Sequence, residues 1–129
     1  MYRSLLASFV VPLFTLAVAN PAIAAEKAKE HKATISQKVL HDDDRVRVTE
    51  TTSKPGNVGN NTVRGKRVTR YIQGGTQERN YADGRKEKIE RKTGEVFVAG
   101  PDKDQYFVRN IGKTTIVTYT VTLKEPKKK

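Results

Sequence analysis

The residues that could do acid–base or metal chemistry are few and lie early in the chain. The sequence contains two histidines, His31 and His41, and no cysteine. His41 is followed by Asp42, Asp43 and Asp44, and three carboxylates beside an imidazole could offer oxygen ligands to a cation. Cation loops need further ligands at set offsets and none follows, so a solvated turn is the favoured interpretation. Neither a Cys-His pair nor a convincing Ser-His-Asp arrangement can be assembled, so no catalytic residue is predicted.

The second chemical feature is a strong positive charge. The chain carries 25 Lys and Arg against 14 Asp and Glu, a formal net charge of +11. Fixed positive charge raises affinity for polyanions, and we expect an envelope polyanion rather than a specific nucleic acid. The alternative is that the charge only keeps a small protein soluble. The side chains predicted to bind an anionic surface are Arg79, Arg85, Lys86, Lys88, Arg91, Lys92, Lys127, Lys128 and Lys129.

The first 25 residues have the features of a secretory signal peptide. Arg3 precedes an apolar run over residues 5–19, and the helix-breaking Pro21 is followed by small residues that suit signal peptidase. Cleavage is expected near Ala24 or Ala25, which predicts a periplasmic or secreted protein. A membrane anchor is the alternative, but the run is short against the roughly 20 residues that a spanning helix needs. We therefore expect no transmembrane helix after cleavage, and no disulfide, because cysteine is absent.

The region from Arg45 to Lys124 has the pattern of a β protein. Short apolar or alternating runs recur at intervals of about 8–12 residues between glycine-rich turns, which is typical of a sandwich or barrel. The clearest strand covers residues 115–123, where valines and a tyrosine alternate with threonines. Residues 85–92 have a helix-forming composition, but the Asp83-Gly84 turn before them predicts a hairpin that ends in an edge strand.

The segments on either side of this region are polar. Residues 26–44 are predicted to be a flexible leader, with a short strand over residues 33–40 that covers the edge of the barrel. Residues 125–129 form a proline-broken basic tail that is expected to be disordered.

The stretch from Gly94 to Asn110 carries the most specific pattern of the chain. It has a glycine, a short apolar strand, a Gly100-Pro101 corner, a tyrosine five residues past the proline and an asparagine four residues further on. This stretch resembles the second motif of the cupin family. The first motif of that family has the spacing Gly, five residues, His-x-His, three or four residues, Glu, six residues, Gly. The same spacing is kept here by Gly56, Thr62, Arg64, Val68 and Gly75.

The resemblance implies an antiparallel, all-β jelly-roll barrel or sandwich over residues 45–124. A five-stranded barrel of the oligonucleotide-binding type is the structural alternative, but it does not account for the two glycine frames.

The resemblance also identifies the positions where metal-dependent cupins hold a metal ion. In those proteins two His and one Glu of the first motif and one His of the second converge inside the barrel. The corresponding residues here are Thr62, Arg64, Val68 and Tyr106. Valine offers no lone pair and arginine is a permanent cation, so neither a metal nor another cofactor is expected.

The same frame implies a ligand site inside the barrel. Arg64, Arg70 and Tyr106 are predicted to project inward, alongside Val68 and Ile72. Buried arginines normally have an anionic partner, which is either an internal carboxylate or a ligand. The alternative is that Gly65 reverses the facing and sends both arginines to solvent. The full set of candidate ligand-binding residues is Thr62, Arg64, Arg70, Tyr106 and Asn110.

Two classes of function follow from these patterns. The first is an exported, metal-free, cupin-like binding protein that holds an anionic or sugar-like small molecule in its barrel. The second is a basic, envelope-associated structural or interaction protein that binds anionic surfaces through its hairpin and tail. A metal-independent lyase or isomerase, which some metal-free cupins resemble, is a further alternative. The sequence leaves open whether two copies associate as a homodimer.

Overall fold

The computed structural model describes residues 32–128 of the 129-residue chain, and these residues form eight β-strands and no helix. The predicted signal peptide, residues 26–31 and Lys129 lie outside the described residues. Within the described part, no helix is long and apolar enough to cross a membrane. The strands are β1 (Ser36–Asp42), β2 (Val46–Ser53), β3 (Arg67–Gln73), β4 (Gly75–Tyr81), β5 (Lys86–Arg91), β6 (Val96–Ala99), β7 (Tyr106–Asn110) and β8 (Ile116–Leu123).

The strands form two antiparallel sheets that face each other. The larger sheet has the order β1-β2-β8-β3-β6 and the smaller has the order β5-β4-β7. Side chains bond from one sheet to the other: Arg67 Nη2 donates to the Tyr106 hydroxyl at 3.0 Å, and Gln77 Nε2 donates to the Tyr71 hydroxyl at 3.1 Å. The molecule is therefore a β-sandwich, and the predicted all-β antiparallel fold is confirmed.

β8 lies at the centre of the five-stranded sheet, between β2 and β3. Its even-numbered residues, one isoleucine and three threonines, face the smaller sheet, while its odd-numbered residues point outward. The outward residues include Val121, Leu123 and the exposed Tyr119. Along its central strand the larger sheet thus turns mostly threonine hydroxyl groups inward and mostly apolar side chains outward, the reverse of the usual arrangement in a sandwich.

The facing of β3 corrects one prediction from the sequence. Arg67, Thr69 and Tyr71 of β3 are buried and its even-numbered residues are exposed, so Arg70 does not project into the interior. The reason is that β3 begins only at Arg67. Residues 63–66 are not part of a strand, so the alternation that would have linked Arg64 to Arg70 is broken next to Gly65. The outward residues of β3 are Val68, Arg70 and Ile72.

The glycine pair at 74–75 carries the chain from the larger sheet to the smaller. Gly74 has no room for a side chain, because a Cβ at this position would lie 2.1 Å from the carbonyl oxygen of Arg91. Gly75 is already the first residue of β4, so β3 and β4 follow each other almost without a loop. This close passage fixes where β4 starts and therefore which of its residues face inward.

The Asp83-Gly84 turn joins β4 to β5 in the hairpin that the sequence predicts. Gly84 has φ +90°, a left-handed conformation that favours glycine, and Asp83 Oδ1 accepts a hydrogen bond from the Arg85 N–H at 3.0 Å. β5 lies at the edge of its sheet, as its charged composition predicts. The buried residue of β5 is the apolar Ile89.

β1 lies at one edge of the five-stranded sheet, where a short strand is predicted over residues 33–40. The strand occupies residues 36–42, and the residues before it are held by backbone hydrogen bonds. Thr34 and Ile35 both donate their N–H to the carbonyl oxygen of Val58, at 2.7 and 3.2 Å. The β structure therefore includes residues that precede Arg45, where the sequence placed the start of the barrel.

Candidate functional site

A cavity of about 480 Å³ lies between the two sheets. Its lining is mixed: threonines and a serine from β2, β3 and β8, aromatic rings from β3, β6 and β7, and guanidinium groups from several segments. Ligand sites in proteins usually have volumes of about 300–1,000 Å³ with a few polar groups that fix orientation. The cavity therefore has the size and the mixed lining of a site for a small molecule.

The inner face of the larger sheet arranges its polar side chains in rows across β2, β8 and β3. The first row contains Arg47, Thr122 and Arg67, which are register partners across the three strands. Neighbouring rows on one face are about 7 Å apart, because they lie two residues apart along each strand. The following rows are Thr49, Thr120 and Thr69; then Thr51, Thr118 and Tyr71; and finally Ser53 and Ile116.

These rows give the cavity two different ends. One end is cationic, because it contains the row with Arg47 and Arg67. The middle consists of hydroxyl groups, two of which bond to each other, Thr69 Oγ1 to Thr120 Oγ1 at 3.0 Å. The other end is closed by Ile116, which is 3% exposed. A ligand in this cavity would contact positive charge at one end and a series of hydroxyl groups in the middle.

Tyr106 is the centre of the cationic end. It is 3% exposed. The guanidinium carbon of Arg64 lies 4.3 Å from the centroid of its ring and that of Arg79 lies 5.0 Å from it, both within the range of a cation–π contact. Burial raises the pKa of Tyr106, although the neighbouring arginines oppose this, so the phenol stays protonated at neutral pH.

The charge of Arg67 is neutralised inside the protein. Arg67 Nη2 donates to Asp102 Oδ1 at 3.2 Å, and Nη1 lies 3.2 Å from Asp102 Oδ2. Both side chains are largely buried, and the same guanidinium also donates to the carbonyl oxygen of Gly65 and to the Tyr106 hydroxyl. Arg67 holds the Tyr106 hydroxyl in place, and its bonds to Asp102, Gly65 and Tyr106 leave it with little capacity for a ligand.

Arg64 is in a different situation. Within the described residues its guanidinium donates to three backbone carbonyl oxygens, those of Asn60, Thr62 and Tyr106, at 3.3, 3.2 and 3.1 Å. Burial lowers the pKa of Arg64, which means that its positive charge is poorly solvated where it lies. A poorly solvated cation whose hydrogen bonds within the described residues all go to carbonyl oxygens is stabilised by an anion that reaches it.

Asn110 is placed behind the cavity instead of in it. It is 1% exposed, and its Nδ2 donates to the carbonyl oxygens of Ser53 and Thr114, at 2.8 and 2.9 Å. Its Oδ1 accepts a hydrogen bond from the Gly112 N–H at 3.0 Å. Both donors and the acceptor are used within the fold, so Asn110 ties β7 to the end of β2 and to the turn before β8.

The structure thus brings together three of the five predicted ligand-binding residues. Thr62, Arg64 and Tyr106 all line the cavity, whereas Arg70 lies on the outer face and Asn110 is enclosed by backbone. Thr62 also pairs with Tyr106 through an isolated β-bridge, which positions the loop that carries Arg64.

Sequence reasoning missed the cavity residues Arg47 and Arg67 and the threonine rows, and it assigned Arg79 to the surface. The alternation of Arg47 and Thr49 with Val46 and Val48 was a signal for a shared face. It did not indicate that the polar face is the inner one. The side chain of Arg79 is 17% exposed, because alternation along β4 turns it inward beside the ring of Tyr106.

The basic hairpin that was predicted to bind anionic surfaces uses much of its charge internally. The ion pairs are Arg79 with Glu87 at 3.3 Å, Arg85 with Asp83 and Asp104 at 2.5 and 3.1 Å, Lys86 with Glu78 at 3.6 Å, Lys88 with Glu90 at 3.7 Å, and Arg91 with Glu95 at 2.7 Å. Lys92, Lys127 and Lys128 are exposed, and Lys129 lies outside the described residues.

The acidic run at residues 42–44 forms an exposed turn, as predicted. Asp43 Oδ1 accepts hydrogen bonds from the N–H groups of Arg45 and Val46 at 2.7 and 2.8 Å, and its Oδ2 lies 2.8 Å from His41 Nε2. These bonds lower the pKa of Asp43 well below its usual value, that with His41 most strongly. The carboxylate serves to close the β1–β2 turn.

No protein-family model matches the chain, and the comparison with curated proteins finds no match. Solved structures do match. A cupin domain from Bordetella pertussis Tohama I is 20% identical with a TM-score of 0.64, and the match covers 74% of this chain and 99% of that one. A cupin superfamily protein from Desulfitobacterium hafniense DCB-2 is 15% identical with a TM-score of 0.54, covering 91% and 100%. The polyketide cyclase RemF from Streptomyces resistomycificus is 19% identical with a TM-score of 0.55, covering 78% and 72%.

The strand order and the position of the cavity define a small antiparallel β-sandwich with a cavity between its two sheets. The likeness to the solved structures identifies the type of β-sandwich: the chain has the cupin fold, as its two glycine-framed motifs predicted.

The residues present do not fit the metal ion that many cupins hold. Of the four positions on the family's ligand frame, Val68 lies on the outer face and Arg64 places a cation against Tyr106. Among the described residues, no group of three or more His, Cys, Asp or Glu side chains is arranged to hold a metal ion. A divalent ion at the frame would meet a fixed positive charge where it needs neutral or anionic donors.

Proposed function

We propose that this chain is an exported, metal-free, cupin-like binding protein that holds an anionic or sugar-like small molecule between its sheets. The observation that carries the proposal is the position of Arg64, a half-buried side chain whose guanidinium, among the described residues, is hydrogen-bonded to carbonyl oxygens and faces a cavity of about 480 Å³. An anion beside it would supply the charge-assisted hydrogen bonds that the fold does not.

The two ends of the cavity favour a ligand that combines both chemical features. The cationic end suits a carboxylate, sulfate or phosphate group, because Arg47, Arg64 and Arg79 all line it. The rows of threonine hydroxyls suit a body with several hydroxyl groups, since each threonine can both donate and accept. A sugar acid of monosaccharide size has this combination.

Isothermal titration calorimetry with three probes separates the contribution of the ligand's charge to binding from that of its hydroxyl groups. Glucuronate carries both the charge and the hydroxyl groups, glucose carries only the hydroxyl groups, and acetate carries only the charge. We expect glucuronate to bind most tightly, because it alone reaches both parts of the cavity. In an Arg64→Met variant its affinity should fall by about tenfold or more, the usual effect of losing a hydrogen bond to a charged group.

The matched control is Arg109→Met, since Arg109 is an exposed residue of β7 that points away from the cavity. This variant should bind glucuronate as well as the wild type. Equal affinities for glucose and glucuronate, or an Arg64→Met variant that binds as tightly as the wild type, would contradict the proposal.

The proposed export is supported by the sequence of the first 25 residues alone. N-terminal sequencing of the protein recovered from its native host tests it directly. A mature protein that begins after Ala24 or Ala25 is expected, and a retained Met1 would argue against export.

A further inference from the structure

The arginines that line the cavity outnumber the carboxylates that neutralise them. Within the described residues the lining contains no aspartate or glutamate but four arginines, which are Arg47, Arg64, Arg67 and Arg79. Arg67 forms an ion pair with Asp102 at 3.2 Å, and Arg79 forms one with Glu87 at 3.3 Å. Both carboxylates reach their arginines from outside the cavity lining. Two of the four positive charges are therefore neutralised by the fold itself.

The other two arginines, Arg47 and Arg64, form no ion pair with any carboxylate in the described part of the chain. The hydrogen bonds of Arg64 go to backbone carbonyl oxygens. Asp42 is the register partner of Arg47 across β1 and β2, but it forms an ion pair with Lys124. The bond with Lys124 is the main reason why the pKa of Asp42 is lowered, and Arg47 contributes less. Two positive charges thus remain available at the cavity.

Both of these charges lie at the same end of the cavity. Arg47 belongs to the first row, where Thr122 is the register partner of both Arg47 and Arg67. The guanidinium carbon of Arg64 lies 4.3 Å from the ring centroid of Tyr106, whose hydroxyl accepts a hydrogen bond from Arg67. The phenol of Tyr106 adds no negative charge, because burial raises its pKa. Arg47 and Arg64 therefore flank one region, and like charges in one region are stabilised by an anion between them.

We propose that the group bound at the cationic end is a phosphate monoester, so that the ligand is a phosphorylated sugar. This assignment rests on the proposed function and narrows its ligand from an anion of any kind to a dianion. A phosphate monoester carries about two negative charges at pH 7 on three terminal oxygens. One such group matches the charges of Arg47 and Arg64 together, and guanidinium groups bind its oxygens in bidentate geometry. A carboxylate or a sulfate ester neutralises only one of the two arginines.

The position of the two arginines favours a phosphate over a sugar dicarboxylate, which also carries two negative charges. A dicarboxylate such as glucarate has its charges at opposite ends of the molecule. Its second carboxylate would lie among the threonine rows, whose side chains are uncharged. Burying a carboxylate there without a cation is unfavourable. Glucarate is therefore expected to bind no more tightly than glucuronate.

Isothermal titration calorimetry with glucose 6-phosphate, glucose 6-sulfate and glucuronate tests the proposal. The sulfate ester has the same sugar and the same three terminal oxygens as the phosphate ester but only one negative charge. A comparison of these two esters therefore isolates the effect of the second charge on affinity. At about pH 8 we expect glucose 6-phosphate to bind about tenfold or more tightly than either of the other probes, the usual effect of an added charged hydrogen-bond partner.

The pH dependence of binding gives a second, independent result. The second ionisation of a phosphate monoester has a pKa of about 6, so the ligand loses one negative charge as the pH falls from about 8 to about 5. The preference for the phosphate ester over the sulfate ester should disappear over this range. Glucuronate and the sulfate ester remain monoanions throughout, and they control for any titration of the protein. Among the described residues of the lining there is no histidine, aspartate or glutamate that would titrate there.

Substitutions of Arg47 test whether it provides the second charge. Arg47 is exposed at the cavity, so Arg47→Met should fold, and circular dichroism checks this. In Arg47→Met the affinity for glucose 6-phosphate should fall towards that for glucose 6-sulfate, because only one unpaired arginine remains. Arg47→Lys keeps the charge and should keep most of the preference. The control Arg109→Met should leave the ratio of the two affinities unchanged.

The outcomes separate this inference from the proposed function. Equal affinities for the phosphate and sulfate esters, with glucuronate also bound, would overturn the dianion and leave the proposed function intact. No binding of any of the three sugar anions would overturn both. A preference for phosphate that Arg47→Met retains in full would overturn the assignment of the second charge to Arg47, and with it this inference.

Discussion

Polar side chains at the two ends of the cavity have different kinds of hydrogen-bond partners. At the closed end, Asn110 makes three hydrogen bonds to backbone groups and each of its donors and acceptors has a partner. At the cationic end, Arg67 is paired with Asp102, but the hydrogen bonds of Arg64 beside it go to carbonyl oxygens of the described residues. The difference separates a side chain that holds the fold together from a guanidinium whose hydrogen bonds, within the described residues, reach no anionic group.

Asp102→Ala should have the largest effect on stability. It removes the partner of Arg67 and leaves a buried guanidinium without a counter-ion, at a cost of about 3 kcal/mol of unfolding free energy. Urea denaturation measures this loss. Sulfate should stabilise the variant more than the wild type, because an anion can replace the lost carboxylate. A variant as stable as the wild type would show that the pair of Arg67 and Asp102 does not stabilise the cationic end of the cavity.

Asn110→Ala should cost about 2 kcal/mol of unfolding free energy, because it removes three hydrogen bonds between a buried side chain and the backbone. Glucuronate binding by the folded variant should be unchanged, since Asn110 does not line the cavity. Asn61→Ala, at an exposed position, is the control and should be neutral. A loss of affinity without a loss of stability would return Asn110 to the ligand site, where the sequence had placed it.

Arg64→Met should change the unfolding free energy by less than about 1 kcal/mol, and in the stabilising direction if at all. It removes a poorly solvated charge and keeps most of the apolar contact with the ring of Tyr106. Urea denaturation beside Asp102→Ala measures the contrast. A large loss of stability in Arg64→Met would mean that Arg64 is a structural residue like Asn110, and the contrast between the two ends would fail.

The smallest effect is expected at the β1–β2 turn. The hydrogen bonds to Asp43 lower its pKa in the folded state, so the stability it contributes is complete above its unfolded pKa of about 4 and is lost as the pH falls below that value. The melting temperature should therefore be constant from pH 7 to about 5 and should fall in more acidic solution. Asp43→Asn should reduce this acid dependence slightly, and an unchanged profile would contradict the role of the turn.

The strands and turns could largely be predicted because their signals are local. The Asp83-Gly84 hairpin, the Gly100-Pro101 corner and the alternating run of β8 each depend on a few adjacent residues, and all three are present. The likeness to cupins came from glycines and a proline that the turns of the fold require, and it did not depend on any metal ligand.

The facing of the sheet could not be predicted in the same way. Alternation shows that Arg47 and Thr49 share a face with each other, but the usual rule that apolar residues point inward gives the wrong face here. The site also joins residues that are far apart in the chain: Arg47 and Arg67 meet only through Thr122. Arg70 was misplaced because the break next to Gly65 shifts the alternation by one residue.

Native mass spectrometry of the protein purified from its own host tests the central claim, that the cavity holds a small anion through Arg64. We predict that the wild type and Arg109→Met each carry one bound molecule, and that its fragments contain an acidic group and several hydroxyl groups. We predict that Arg64→Met, purified in the same way, has the mass of the chain alone. A wild-type spectrum that shows only the chain, or a bound molecule that Arg64→Met retains, would contradict the account.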